Sequence, residues 1–264
     1  MRCSLILTTY NWTDALALSL TSALKQSHIP DEIIIADDGS SDETKKLIEK
    51  FALTSPIPII HAWQEDEGFR LSKSRNEAIK KSTSEYVIVS DGDMILHPHF
   101  IKDHLRCAQK GVYVQGSRVL MDETLSQEVI KNGMFEKPSF FSKHIRNRKN
   151  ALYMPFLSKR ICRREITELK RIRGCNFALF KEDIESINGF NEEFNSWGRE
   201  DSEFVQRLFN AGCKRKNLKF SAIQYHIHHE SGNASSENDA LLQYAIDKKL
   251  LYCEHGMKNQ KETN

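Results

Sequence analysis

The first 115 residues alternate between short apolar runs and amphipathic stretches. Ser4–Thr9, Glu32–Ala36, Pro56–Trp63, Glu85–Ser90 and Val112–Gln115 predict strands. Asp14–Gln26, Glu43–Phe51, Leu71–Lys81 and His99–Lys110 predict the helices between them. In the first of these, Ala15, Leu16, Leu18, Leu20 and Leu24 fall at mostly helical spacing, and Ser41 and Asp42 can cap the second. Strands that are apolar on both faces, repeating about every 25–30 residues with a helix between, predict an α/β fold with a mostly parallel, Rossmann-like sheet flanked by helices. Ligands of such sheets bind beyond the carboxyl ends of the strands. The polar segments Thr8–Asn11, Asp37–Ser40 and Asp91–Asp93 are all expected there, on one crevice.

After residue 116 the alternation fails. Residues 122–170 are polar, basic and irregular, with Phe135, Phe140, Phe141, Tyr153 and Phe156 interleaved, and read as an insertion over the crevice or a helical excursion. Between Lys137 and Arg173 twelve Lys/Arg stand against two acids, Glu165 and Glu168. That surplus must face solvent or something anionic. Arg171–Phe180 resumes as a strand, Arg199–Ala211 reads as a helix stopped by Gly212, and Leu218–His228 as a last strand. The tail Glu254–Asn264 is very polar and is expected to fray.

Composition narrows the class. With 39% hydrophobic and 28% charged residues over 264 positions, the chain has the balance of a globular protein, and a net charge of +2 gives no reason to expect a nucleic-acid partner. No apolar run approaches the roughly 18–20 residues of a membrane helix, and the N-terminus turns polar too soon for a signal peptide. The six cysteines are scattered without a C-x-x-C pair and read as free thiols in a reducing compartment, so a cytoplasmic location is expected.

Five constellations carry candidate chemistry. Asp91 and Asp93, flanking Gly92 at the end of a buried strand, offer two hard oxygen ligands to Mg²⁺ or Mn²⁺, which can bridge a diphosphate. Alternation along Tyr225-His226-Ile227-His228-His229 puts His226 and His228 on one face and His229 on the other or in the turn. His226 is the first candidate for a further ligand, His228 the second, and an imidazole would favour Mn²⁺; ordinary polar histidines are the plainer reading. Trp197-Gly198-Arg199-Glu200-Asp201 opens a helix whose apolar face is Phe204, Val205, Leu208 and Phe209. Its acids either complement the helix dipole or include a general base for an attacking hydroxyl, with the indole as a wall for a sugar face. Asp38 binds a nucleoside or only shapes a turn. In Gly68-Phe69-Arg70 and Arg75-Asn76, either arginine can contact diphosphate or lock the loop.

In this order, Thr-Thr-Tyr-Asn, Asp-Asp-Gly-Ser and Asp-Gly-Asp resemble glycosyltransferase family 2, of GT-A fold. Gly68-Phe-Arg-Leu with Arg75-Asn76, Gly189-Phe-Asn, Trp-Gly-Arg-Glu-Asp and the terminal His cluster resemble a narrower group, which holds bacterial chondroitin-polymerase-like enzymes and animal β-1,4-galactosyltransferases. The likeness spans residues 1–115 and 171–230. It implies a UDP-sugar donor, Mn²⁺ or Mg²⁺, and inversion at the transferred carbon. It gives Asp91 and Asp93 the metal and diphosphate role, His226 or a neighbour a late metal-ligand role, Asp201 the base role and Glu200 contact to a substrate hydroxyl. Asp38 with Thr8 and Tyr10 would hold the uridine; Arg70, Arg75, Asn76, Gly92, Trp197 and Gly198 complete the expected binding set. Related retaining enzymes that attach GalNAc to polypeptides carry Asn where this chain has Asp201. The spelling His-Ile-His-His departs from the group's pattern, and residues 122–170 match no motif of it.

One domain over 1–264 is therefore expected, with a nucleotide-sugar-binding half at 1–115 and an acceptor half at 116–253. The expected function is transfer of a hexose or N-acetylhexosamine to a glycan or lipid-linked acceptor in bacterial lipopolysaccharide or capsule assembly, with the basic insertion resting on an anionic membrane at its inner face. Two competing readings are weaker. A sugar-phosphate nucleotidyltransferase should carry a Gly-rich loop after the first strand, and Thr8–Thr13 has no glycine. A non-catalytic nucleotide-sugar-binding or partner subunit need not keep Asp201.

Overall fold

The structure, a computed structural model, describes residues 1–230 and 235–258. The first part reads β1 Cys3–Thr9, α1 Thr13–Leu24, β2 Glu32–Asp37, α2 Asp42–Thr54, β3 Ile59–Trp63, α3 Leu71–Lys81 and β4 Tyr86–Asp91. Next come β5 Met94–Leu96, α4 Phe100–Arg106, β6 Val112–Gln115, β7 Val119–Met121, α5 Glu123–Asn132, β8 Ile145–Arg146 and α6 Pro155–Ile161. The rest is β9 Glu165–Ile166, β10 Asn176–Phe180, α7 Lys181–Ser186, α8 Glu200–Asn210, β11 Lys214–Asn217, β12 Gln224–His226 and α9 Ser236–Asp247.

The main sheet has eight strands in the order β3-β2-β1-β4-β10-β6-β11-β9. Its first four are mutually parallel, as their two-sided apolar sequences predict, and β2 is buried at every position. Beyond β4 the sheet is mixed: β10 runs antiparallel between β4 and β6, while β11 runs parallel to β6. Apolar clusters cover both faces, one holding Leu5, Leu7, Ile33 and Ile88, the other Ile6, Ile34, Val87 and Val89. Alternate residues of the same strands thus feed opposite layers.

Register places the crevice. Thr8 lies opposite Ala36 on one side and Asp91 on the other, and Thr9 lies opposite Asp37. The three polar loops therefore leave the sheet at one level, as the sequence pattern requires. Strand β4 ends sharply because Gly92 N–H donates to Thr8 O at 2.7 Å. A Cβ at Gly92 would lie 2.4 Å from that same oxygen, so only glycine admits the reversal that carries Asp93 away from the strand.

Several expectations for the second half are corrected. Residues 122–170 are more regular than expected: besides the helices α5 and α6 they hold β8 and β9, which form edges of the two sheets. The smaller sheet, β5-β12-β7-β8, was not foreseen. The strand expected at 171–180 begins only at Asn176, after Arg171 turns left-handed at φ 61°. The strand expected at 218–228 shrinks to β12, because Phe220 and Ala222 have φ of 61° and 45° and break extension before it. The tail is docked through Met257: His255 O accepts from Glu192 N–H, and Met257 N–H donates to Asn188 O. Residues 259–264 lie outside the described residues. All six cysteines are free. Among the described residues no helix is long and apolar enough to cross a membrane.

Two buried imidazoles give the fold a pH signature. His104 is fully buried, with Nε2 on Asn176 Oδ1 at 2.8 Å, and burial pushes its pKa down to about 4. His97 stacks on Tyr153 at 4.6 Å, and burial takes it to about 4 as well. Both stay neutral in the native state, whereas the unfolded chain protonates them below about 6.5. Their stabilisation is complete above that value and is lost as pH falls from about 6.5 to about 4. Urea unfolding should show declining stability across this window, and His104→Gln, which keeps a donor for Asn176, should flatten the decline; an unchanged slope would contradict the assignment.

Candidate active site

Two clefts open at the carboxyl ends of β1, β2 and β4, and both are lined by Leu71 and Asp91. One, of about 450 Å³, is lined by Thr8, Tyr10, Asp38, Phe69, Asp93 and His229 among others. The other, of about 530 Å³, is lined by Arg75, Arg118, Trp197, Glu200 and Asp201 among others. Asp91 therefore stands at the boundary of the two.

In the first cleft, Asp38 is 6% exposed and accepts from Arg70 N–H at 2.8 Å and Gln64 Nε2 at 2.6 Å. Burial raises its pKa, against the pull of those two donors. Thr8 Oγ1 donates to Asp91 Oδ1 at 3.1 Å, and the half-exposed Tyr10 hydroxyl donates to Asp66 at 3.0 Å. Arg70 turns to Glu67 and to Glu65 O, so in this state it braces its own loop.

Sheet β5-β12-β7-β8 builds a second feature. Antiparallel pairing sets His226 opposite Met94, and Ile227 N–H donates to Asp93 O, so β12 delivers its last imidazole to Asp93. Asp93 Oδ2 lies 3.1 Å from Nε2 of both His226 and His229, and the two imidazole nitrogens are 3.1 Å apart. Burial pushes Asp93 up, but the hydrogen bonds from both histidines outweigh it and hold the carboxyl at about 2. The expectation of His228 as the second imidazole is corrected: the ligand atoms that come together are those of Asp93, His226 and His229, while the His228 backbone N–H donates to Ser126 Oγ. Period-two alternation holds only while the chain stays in the sheet. It leaves at His226, and the turn brings in position i+3 rather than i+2.

In the second cleft, a buried arginine joins the loops. Arg75 is 2% exposed, with Nη1 3.2 Å from Glu200 Oε1 and Nη2 3.5 Å from Asp91 Oδ1. Burial works against its charge, yet Glu200, Asp91 and Asp201 outweigh this and raise its pKa. The Asp91 and Glu200 carboxyls are both pushed up by burial, with Arg75 pulling each down. Asp201 is partly exposed beside them, accepting from Ser202 Oγ at 3.1 Å. Helix α8 starts after two left-handed residues, Gly198 at φ 99° and Arg199 at φ 74°. Asn238 of α9 secures this turn by donating to the carbonyls of Ser196, Trp197 and Gly198. Trp197 itself is 47% exposed at the mouth.

Not every expected site residue reaches a cleft. Asn76 is fully buried, and its amide is consumed by Phe190 N–H, Phe190 O and Glu192. It fastens the Gly189-Phe190-Asn191 loop and has no atom left for substrate. Two residues were missed. Arg118 lines the second cleft and draws down Asp91, but no motif surrounds it. Asn238 lies in a polar helix that no pattern tied to Trp197.

The glycosyl transferase family 2 signature matches residues 4–169, more than half of the chain. The chain belongs to glycosyl transferase family 2. A second signature, the N-terminal domain of galactosyltransferase, matches residues 163–230, which carry both the Trp197–Asp201 loop and His226–His229. The family 2 chain is 28% identical to a chondroitin synthase of Escherichia coli over 94% of its own length and 38% of the enzyme's. It is 26% identical to a hyaluronan synthase of Pasteurella multocida over 84% of its length and 24% of that enzyme's. It thus spans well under half of these relatives. Among solved structures it resembles S. aureus TarS 1-349 in complex with UDP-GlcNAc, with a TM-score of 0.63 at 19% identity over 93% of this chain and 66% of that one. It also resembles the mannosyltransferase PcManGT of Pyrobaculum calidifontis in complex with GDP-Man and Mn2+, with a TM-score of 0.58 at 19% identity over 88% and 58%. The fold is GT-A, as the motifs led one to expect.

Proposed function

We propose that this chain is an inverting, metal-dependent glycosyltransferase that moves a hexose or N-acetylhexosamine from a UDP-sugar to a hydroxyl of a glycan or lipid-linked acceptor in surface-polysaccharide assembly. The observation that carries the reading is the meeting of two clefts at Asp91, with a carboxylate, Asp201, in the cleft away from the imidazole cluster. The donor in complex with TarS and the polysaccharides in the relatives' names support the same chemistry.

The Asp93 cluster fits a divalent cation. Asp93 Oδ1 is buried with no hydrogen-bond partner among the described residues, an orphan that a cation would satisfy. His229 Nδ1 lies 2.7 Å from Glu230 O, a contact that would keep the ring oriented when Nε2 gives up its proton to a cation. Asp93 Oδ2 and the two Nε2 atoms lie 3.1 Å from one another, so all three could face one cation. Asp93, His226 and His229 would hold it, while Asp91 is engaged by Arg75 and Thr8. When bound, Mn²⁺ or Mg²⁺ supplies charge neutralisation for the departing diphosphate.

The chain's own residues do the rest in this reading. Asp38, Thr8 and Tyr10 hold the nucleoside, and Trp197 offers its face to the acceptor sugar. Asp201 accepts the proton of the acceptor hydroxyl as its oxygen bonds to the donor C1 and the bond from C1 to the diphosphate oxygen breaks. Glu200, tied to Arg75, orients a substrate hydroxyl. Exposed Phe141 and Phe156, among the basic residues of 137–164, are placed to rest on an anionic membrane at its inner face.

Asp201→Asn should lower transfer by about a hundredfold or more while leaving UDP binding nearly intact. Equal loss of both would argue for a binding role. Mn²⁺ binding, followed by electron paramagnetic resonance with UDP present, should weaken in His226→Ala and His229→Ala but not in His228→Ala. Loss in His228→Ala alone would overturn the cluster assignment.

A further inference from the structure

A third cleft, of about 540 Å³, adjoins the Asp201 cleft on the side away from Asp93. Arg171 and Arg173 line both, and Ser117 of one precedes Arg118 of the other, so the two form one continuous groove. Six cations line the third cleft, Lys149, Lys170, Arg171, Arg173, Arg215 and Lys219, against one acid, Glu168. Among the described residues no carboxylate lies within ion-pairing distance of any of the six, whereas the neighbouring Lys216 has Glu165.

A solvated basic face would account for exposed lysines, but not for Arg215. That side chain is 3% exposed, its Nη1 donates to Lys170 O at 3.0 Å, and its Nε has no partner. Beside it, Gln115 is 6% exposed and spends its amide N–H on Arg171 O at 2.9 Å, leaving its carbonyl oxygen unpartnered. Burying an uncompensated guanidinium is costly unless an anion completes it. The flanking backbone is turned to suit, with left-handed Arg171 and Phe220 on the two rims.

We infer that this groove is an extended acceptor track for an acidic glycan, one bearing carboxylate or phosphate groups behind the sugar that sits at Asp201. The inference rests on the transferase reading above and adds the charge class of the acceptor. Arg171 and Arg173 hand the chain from one cleft to the next, and Arg215 with Lys149, Lys170 and Lys219 receives its acidic groups. Free phosphate, lipid headgroups and acidic glycans share this chemistry; the length of the groove, running from the base to the far cleft, selects the glycan.

The test is fluorescence anisotropy on the whole chain. Its probes are a labelled unsulfated chondroitin oligosaccharide, its carboxyl-reduced counterpart, a glycerol-phosphate oligomer, inorganic phosphate as competitor, and vesicles containing phosphatidylglycerol. UDP-sugar hydrolysis without acceptor is measured in parallel. At least one acidic oligomer should bind about tenfold or more tighter than the neutral one, with affinity falling as salt rises. The double variant Lys149→Glu/Lys219→Glu, and separately Lys170→Glu, should each abolish most of that preference while melting and hydrolysing donor like the parent. Equal binding of acidic and neutral oligomers would overturn the inference while intact donor hydrolysis leaves the transferase reading standing. Binding confined to vesicles, or fully displaced by millimolar phosphate, would assign the groove to a headgroup or a free anion instead. Acidic-glycan binding without donor hydrolysis would keep the groove and sink the transferase reading.

Discussion

The side chain on which this site turns is Arg75, buried between Asp91 and Glu200. Asp91 ends β4 and lines both clefts, and Glu200 opens α8 and lines the second. Neither carboxylate would be tolerated at its depth without a cation, and two of them near one another still less. Removing one partner of such a buried set typically costs about 3–5 kcal/mol, because the rest is left uncompensated. The guanidinium can serve both because its fork presents separate nitrogens to each acid. Phe190 lies under it at 5.2 Å, and Asn76, one residue on, fixes the Phe190 loop, so the arginine is held from below as well as from its ends.

This arrangement explains the division of labour between the two aspartates of Asp91-Gly92-Asp93. Gly92 reverses the chain, so the carboxylates diverge. Asp91 turns toward Arg75 and the acceptor side, and Asp93 turns to the imidazoles brought by β12. The small sheet, which pairs β12 with β5, thus brings His226 to Asp93. The contact also joins distant parts of the chain: β12, the last strand among the described residues, leads to His229 in the first cleft.

Much of the first half was legible because β1, β2 and β4 are buried on both faces, which leaves short unbroken apolar runs between turn residues. The second half was not, for reasons that can be named. β11, Lys214–Asn217, has no apolar residue, so no apolar run marks it, and its pairing with β6 and β9 alone makes it a strand. The run from Leu218 to Ile227 looks like one strand, but two left-handed residues break it. Among site residues, Asp38, Asp91, Glu200, Asp201 and Trp197 reached the clefts from motif alone. Asn76 did not, because a buried amide that secures a loop and one that binds substrate have the same spelling. His229 was displaced by His228 in the reading because alternation was extended past the strand's end. Arg118 and Asn238 carried no signal, since their relevance exists only once distant segments meet.

The central claim is that Arg75 couples the two sides of the site as one unit. A double-mutant cycle on kcat/KM with Arg75→Met and Glu200→Gln measures this directly. Strong non-additivity is predicted, the double variant being little worse than Arg75→Met alone, because that single change already releases Glu200. Additive losses would show that Arg75 and Glu200 act independently, and would contradict the account.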